Sequence, residues 1–251
     1  MSLLITAIIL GAALFTSFVS SIFGMLGGVL LMAVLITLMS TGPAMVLHGL
    51  IQFASNGYRA FLNRQDIQWR IIGVFLIGAL AALAALVFIS FVPDEATVLI
   101  ALGALPFIAA GLPKSLSLDI TRPFMPIFAG LIIVPVNVLA GVGGPVLDVF
   151  FQRVMLTRHQ VVATKAVIQA LAHTTKIIYF GVLVSSVLGS GAQNWPPAPL
   201  LLGALAVTVV GTTLGKRVLD RLADKVFFAW TQRIMLSVGG VLIIRGVLLL
   251  D

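Results

Sequence analysis

The sequence predicts an all-α polytopic membrane protein made of two inverted-topology repeats, each a glycine-broken helical hairpin followed by three transmembrane helices. Of the 251 residues, 60% are hydrophobic and 9% are charged, and the mean hydropathy is +1.18. Charged residues make up about a quarter of an ordinary soluble domain. Apolar runs of about 20 residues, enough to cross a bilayer, recur from one end of the chain to the other.

The predicted elements of the first half, residues 1–118, begin with a long apolar stretch. Residues 2–39 are apolar and are interrupted at the sequence Gly24-Met-Leu-Gly27-Gly28. Three further apolar segments predict helices over about 43–62, 70–92 and 96–112. We expect the interrupted stretch to form the hairpin and the three segments to cross the membrane.

The second half, residues 119–251, repeats that order of features. Residues 124–152 are apolar and are interrupted at Gly141-Val-Gly143-Gly144-Pro145. Helices are then predicted over about 160–188, 198–215 and 226–249. The matching order predicts an internal repeat, with both halves forming one integral transport domain.

The loop charges favour a hairpin over a single long crossing at each glycine break. With hairpins, ten basic residues outside the apolar stretches fall on one side, as the positive-inside rule requires; they are Arg64, Arg70, Lys114, Arg122, Arg153, Arg158, Lys216, Arg217, Arg221 and Lys225. With single crossings they divide four against six, which gives no orientation. The hairpin arrangement places both termini outside and inverts the second half relative to the first.

Two apolar helices carry a polar and basic stripe. In the first half the stripe is His48, Gln52, Asn56 and Arg59, and in the second it is Lys165, Gln169, His173 and Lys176. Spacings of three and four residues place each set on one helix face. Inserting a lysine or arginine at mid-membrane costs about 2.5–3.5 kcal/mol of free energy. We therefore expect these cations to have a function or a position that offsets this cost.

We interpret the two stripes as the lining of a substrate site. An inverted repeat would bring them face to face, with cations, histidines and carboxamides but no acidic residue. Such a lining favours an anion, and especially an oxyanion that accepts many hydrogen bonds. The alternative is that Arg59, Lys165 and Lys176 lie near helix ends and extend to the headgroups.

The glycine breaks are candidates for backbone anion binding. Gly27, Gly28, Gly143 and Gly144 permit one helix to stop and another to begin, which exposes free N–H groups to an anion. Pro145 suits the first turn of such a new helix. The alternative is close helix packing through small residues.

Asp148 is the one acid well inside an apolar stretch. Three interpretations stay open: a proton-coupling site, a partner for Lys165, or a residue at the interface near Arg153. Asn137, upstream of the second break, is a further candidate for the same lining. We predict no cofactor and no metal, since the chain has no cysteine and none of the usual metal or nucleotide motifs.

The chain resembles the TauE/SafE family of sulfite and organosulfur-anion exporters. The residues that carry the resemblance are the first glycine break, the segment Asn56-Gly-Tyr-Arg59 running on to Asp66-Ile67-Gln68-Trp69, and the glycine-rich run at 141–145. The resemblance implies export of sulfite, sulfoacetate or related organosulfonates across the bacterial inner membrane.

The sequence thus predicts a secondary transporter for small sulfur-containing oxyanions, working by alternating access. Its predicted partners are the anion and the lipid bilayer, with no nucleic acid and with the homo-oligomeric state left open. One alternative is an anion-selective channel lined by the same stripes. Another, an intramembrane enzyme or assembly factor using His48 and His173, lacks a nucleophile or metal partner, so we predict that the protein is not an enzyme.

Overall fold

The architecture was examined in a computed structural model, which describes residues 2–23, 26–89, 92–111, 113, 118–151, 154–184, 195–219 and 224–250. Within these residues the chain is helical and contains no strand. Each half contributes five α-helices to that part of the chain. In the first half they are α1 (Leu3–Phe23), α2 (Leu26–Leu38), α3 (Thr41–Leu62), α4 (Trp69–Ile89) and α5 (Glu95–Gly111).

The helices of the second half follow in the same order. They are α6 (Met125–Ala140), α7 (Gly144–Phe151), α8 (Arg158–Ile178), α9 (Ala198–Leu219) and α10 (Asp224–Leu248). A short 3-10 turn, Arg64–Asp66, precedes α4, and a π-helical turn, Tyr179–Leu183, continues α8. The predicted helices are therefore confirmed in the described residues, with ends that shift by a few residues.

Four described segments are long and apolar enough to cross a membrane by length and composition. They are Leu3–Ile22 in α1, Trp69–Ile89 in α4, His159–Leu183 in α8 with its π-turn, and Ala198–Gly215 in α9. Four shorter apolar helices accompany them: Leu26–Leu38, Glu95–Ile108, Met125–Ala140 and Leu236–Leu248. The chain is thus a helical membrane protein, as its composition predicts.

Both glycine breaks reverse the chain. Gly27 at the start of α2 packs against Ser20 of α1, so α2 folds back along the helix that precedes it. In the second half α6 ends at Gly141, whose φ of 76° is in the left-handed region that favours glycine. Gly143 then packs against Ile133 of α6. At each break the described helices therefore fold back on each other, as a hairpin requires, while the sidedness predicted from loop charge stays a prediction.

The returning helices are too short to cross a bilayer. α7 has 8 residues and α2 has 13. At 1.5 Å per residue they extend about 12 and 20 Å, against a hydrocarbon core of about 30 Å. The described residues of both glycine breaks are buried between helices, where their backbone groups can face a site instead of the surrounding lipid.

The helices pack in close pairs through glycine. In the pair α5–α10, a Cβ on Gly103 would stand 2.5 Å from the carbonyl oxygen of Gly239, and Gly246 packs against Ile100 further along. These contacts make α5 and α10 antiparallel. In the pair α4–α6, a Cβ on Gly130 would stand 2.6 Å from the carbonyl oxygen of Phe75. Such approaches let backbones meet closely, which is a main source of helix association in membranes.

The close α4–α6 contact predicts a sharp difference between two glycine variants. Gly130→Ala forces a Cβ to within 2.5 Å of the Ala79 nitrogen, so α4 and α6 must separate. We expect a loss of about 1–3 kcal/mol of stability, the usual cost of overpacking. Gly73→Ala on the exposed face of α4 is the matched control, since a Cβ there meets nothing within 4 Å. Thermal unfolding in detergent measures both, and equal melting temperatures would contradict the packing.

Candidate functional site

The polar stripes of α3 and α8 face each other. Gly49 of α3 packs against Ile177 of α8, and the rings of His48 and His173 lie 5.4 Å apart between centroids. Further along α3, Gln52 shares a cavity with His173. Since higher residue numbers on α3 meet lower ones on α8, the two helices run antiparallel. The structure thus brings together the two stripes that the sequence predicts to meet.

A chain of hydrogen bonds crosses between the two halves at this point. His48 Nε2 lies 2.9 Å from the carbonyl oxygen of Gly28, and Lys176 Nζ lies 2.7 Å from His48 Nδ1. Lys176 Nζ also donates to the carbonyl oxygen of Gly141 at 2.7 Å. Because a carbonyl only accepts, His48 Nε2 must carry its hydrogen. The chain links the glycine break of the first half to that of the second.

Lys176 is the most deeply buried cation of the two stripes. Its side chain is 0% exposed, as is that of His48. In the described part of the chain, no carboxylate lies within ion-pair distance of Lys176. Its side chain therefore does not extend to the headgroups, and that alternative is wrong for this residue. A charge buried in this way needs compensation, which hydrogen bonds supply only in part.

A small cavity lies beside the chain of hydrogen bonds that joins Gly28, His48, Lys176 and Gly141. Its volume is about 20 Å³, room for about one water molecule. The lining comes from the start of α2, from α3, from the second break and from α8: Gly28, Gln52, Asn56, Val142, Gly144, Gln169 and His173. No acidic side chain of the described residues lines it. In this conformation the cavity would have to widen before it held an anion of several atoms.

Two groups of the cavity lining are buried and have no hydrogen-bond partner in the part of the chain that the structure describes. They are Gln52 Nε2 and His173 Nδ1. Asn56 Nδ2 donates to the main-chain oxygen of Gln52 at 2.9 Å and lies 3.5 Å from Gln52 Oε1. That contact directs the amide oxygen of Gln52 towards Asn56 and leaves its NH₂ group free to donate. A buried donor without a partner is costly and is expected where a ligand completes the set.

The glycines of the two breaks divide between two tasks. Gly28 and Gly144 line the cavity, near the N-terminal turns of α2 and α7. Gly27 and Gly143 instead pack against α1 and α6, as the small-residue alternative predicts. Close packing thus accounts for Gly27 and Gly143, while backbone anion binding stays a prediction for Gly28 and Gly144, which lie at the cavity. Pro145 lies in the first turn of α7, where a missing N–H costs no helical hydrogen bond.

The remaining predicted cations lie elsewhere. Lys165 forms an ion pair with Asp148, and neither residue lines the cavity. Of the three interpretations of Asp148, the pairing with Lys165 is confirmed. Arg59, in the last turn of α3, is half-buried and donates from Nη2 to the main-chain oxygen of Ser20 at 3.3 Å. Gln169 does line the cavity, together with His173.

Two groups contribute from outside the cavity lining. Asn137, which the sequence predicts as a lining candidate, does not line the cavity. It is fully buried and donates from Nδ2 to the Ala172 carbonyl at 2.6 Å, while its Oδ1 has no partner among the described residues. It fixes α6 against the cavity-lining turn of α8. The other group is the Gly141 carbonyl, which accepts a hydrogen bond from Lys176. The position of Gly141 in the second glycine break is the one sequence feature that indicates it.

The ion pair between Asp148 and Lys165 predicts energetic coupling. Their side chains are 34% and 23% exposed, so solvent screens the pair and its contribution is at most about 1 kcal/mol. A double-mutant cycle with Asp148→Asn and Lys165→Gln, followed by thermal unfolding, should give a coupling of about 0.5–1 kcal/mol that falls with added salt. Strictly additive effects would contradict the pairing.

Comparison with known proteins was consistent with the resemblance seen in the sequence. A family model described as "Sulfite exporter TauE/SafE" matches residues 9–245, nearly the whole chain. No curated protein and no solved structure matches the chain. The members of the family are membrane transporters. On the strength of this match, the chain belongs to the TauE/SafE family of sulfite exporters.

Proposed function

We propose that this protein is a secondary transporter that exports small sulfur-containing oxyanions, such as sulfite, sulfoacetate and other organosulfonates, across the bacterial inner membrane. The observation that carries the proposal is the buried Lys176 beside a cavity lined by amides, a histidine and helix-start glycines. No carboxylate of the described residues balances that lysine. A mobile anion is the group that would complete this arrangement.

The geometry suits an oxyanion in particular. The Gln52 amide supplies a free N–H, and the first turns of α2 and α7 add main-chain N–H groups near Gly28 and Gly144. A sulfonate carries three equivalent acceptor oxygens, so it can receive donors from α2, α3 and α7 at once. Lys176 would act through His48, since its Nζ contacts that ring and does not line the cavity.

The small cavity is compatible with a carrier in a closed conformation. A conducting pore needs a continuous water-filled path, whereas this cavity holds about one water molecule. A carrier passes through closed conformations in which the site is cut off from both sides. Saturable flux with counterflow of labelled substrate would fit the carrier, and single-channel conductance steps would fit the channel.

The helix packing supports two inverted repeats. The proposed equivalents are α1 with α6, α2 with α7, α3 with α8, α4 with α9 and α5 with α10. The pair α1–α9 then corresponds to α6–α4, and both pairs are in close contact. Equivalent helices should be antiparallel in an inverted repeat, and α3–α8 and α5–α10 are antiparallel. Alternating access would follow from movement of one repeat against the other.

The binding site predicts different effects for two lysines of the same helix. Purified protein should be stabilised against heat by at least one of sulfite, sulfoacetate, taurine or methanesulfonate. Lys176→Met should weaken that binding at least tenfold, because the charge beside the cavity is lost. Lys165→Met is the matched control and should bind normally, since Lys165 is paired with Asp148 outside the lining.

Two results would contradict this site. One is equal anion binding by Lys176→Met and the unaltered protein. The other is a loss of anion affinity in Lys165→Met as large as that in Lys176→Met, which would indicate that the anion binds nearer to α7.

The inverted topology predicts which positions react from outside. The chain has no cysteine, so single cysteines at Ser2, Val92 and Leu250 can be labelled without background. We expect a membrane-impermeant thiol reagent to label all three in intact cells. A cysteine at Gln65, in the basic loop after α3, should react only in opened cells. Labelling of Ser2 and Leu250 from opposite sides would contradict the two inverted repeats.

A further inference from the structure

We infer that the transporter carries one proton together with each anion, and that His173 is the group that binds this proton. The inference rests on the proposed function, because it concerns what accompanies the anion in the same cavity. It starts from three side chains that form one buried cluster: Lys176, His48 and His173.

The contact between Lys176 and His48 limits the charge that the pair can hold. His48 Nε2 keeps its hydrogen because it faces the Gly28 carbonyl at 2.9 Å. If His48 were also protonated on Nδ1 while Lys176 was an ammonium, two donors would face each other across 2.7 Å. The observed hydrogen bond is therefore compatible with at most one positive charge on the pair.

His173 has no such restriction. Its Nδ1 is buried without a hydrogen-bond partner among the described residues, and the residue lines the cavity. A proton added there breaks no hydrogen bond of the described residues. Two factors oppose protonation: burial of His173, and the positive charge of Lys176, which contacts His48. The rings of His48 and His173 lie 5.4 Å apart between centroids. An anion in the cavity offsets both factors.

The other titratable groups around α8 do not compete for this role. From α3 come His48, held at both nitrogens, and, near the C-terminal end, Tyr58 and Arg59. From α7 comes Asp148, paired with Lys165 of α8 itself. Tyr179 in the π-turn donates to the Leu86 carbonyl. The rest lie near helix ends: Arg64 and Asp66 in the 3-10 turn, Arg70 on α4 and His159 on α8. The described residues of α6 include no titratable side chain.

Proton and anion binding are then linked in both directions. The bound anion favours the protonated ring, and by thermodynamic reciprocity the protonated ring favours the anion. One monovalent anion and one proton together add no net charge to the buried site. The proton comes from the solution on the side to which the cavity is open, and it leaves with the anion on the other side. Because the two move together without net charge, export proceeds only while the outward anion gradient exceeds the inward proton gradient.

The test measures proton uptake on anion binding with methanesulfonate, which stays ionised throughout the working pH range. In weakly buffered detergent solution, we expect uptake to approach one proton per bound anion where His173 is neutral. Affinity should weaken by about tenfold per pH unit in that range. His173→Gln keeps a polar side chain but cannot take the proton, so it should bind without uptake and with an affinity nearly independent of pH.

The control is Asp148→Asn, which removes the other candidate for coupling and should leave proton uptake unchanged. Uptake that is lost in Asp148→Asn but kept in His173→Gln would overturn the inference. So would an affinity of the unaltered protein that does not change with pH, a result that needs no variant to fold. If the unaltered protein binds none of the tested sulfur anions, the proposed function itself fails; binding without proton uptake removes only the coupling.

Discussion

The hydrogen-bond chain from Gly28 through His48 and Lys176 to Gly141 is the interaction on which the rest of the site depends. It joins the start of α2, the middle of α3, the end of α8 and the end of α6. Gly141, just past the last residue of α6, contributes a main-chain oxygen that a continuous helix would have used internally, whereas the Gly28 oxygen belongs to the first turn of α2. The helix breaks, the antiparallel α3–α8 contact and the buried lysine therefore require one another.

This arrangement has an electrostatic cost that packing alone does not explain. A hydrophobic side chain in place of Lys176 would avoid burying a charge, and replacement of buried charged groups is often neutral or stabilising. The Asp148–Lys165 pair shows the usual solution, an acid beside the base. Lys176 has no such partner in the described structure, while the neighbouring cavity holds unpartnered polar groups. The simplest physical account of the difference between the two lysines is that Lys176 is kept for function although it lowers the stability of the fold.

Much of the helical framework follows from hydrophobic periodicity and loop charge. The first striped helix is predicted over 43–62 and observed over Thr41–Leu62. The stripes can also be recognised in the sequence, because residue spacing alone fixes which side chains share a helix face. His48, Gln52 and Asn56 share one face of the first helix, and His173 and Lys176 share one face of the second.

What the sequence does not provide is how each polar residue is used. Lys165 and Lys176 occupy similar positions in the second stripe, yet Lys165 forms an ion pair with Asp148 and Lys176 forms a hydrogen bond with His48. Gly27 and Gly28 are adjacent, but a rotation of about 100° directs one to α1 and the other to the cavity. Such distinctions depend on contacts between residues far apart in the chain, and periodicity within one helix carries no information about them.

The most direct test of the central claim is a structure of the protein with bromomethanesulfonate, whose bromine marks the anion by anomalous scattering. The account predicts a bromine signal between α3 and α8, with a sulfonate oxygen within hydrogen-bond distance of Gln52 Nε2. A signal confined to Arg59 or to the Asp148–Lys165 pair, with the cavity unchanged, would contradict it.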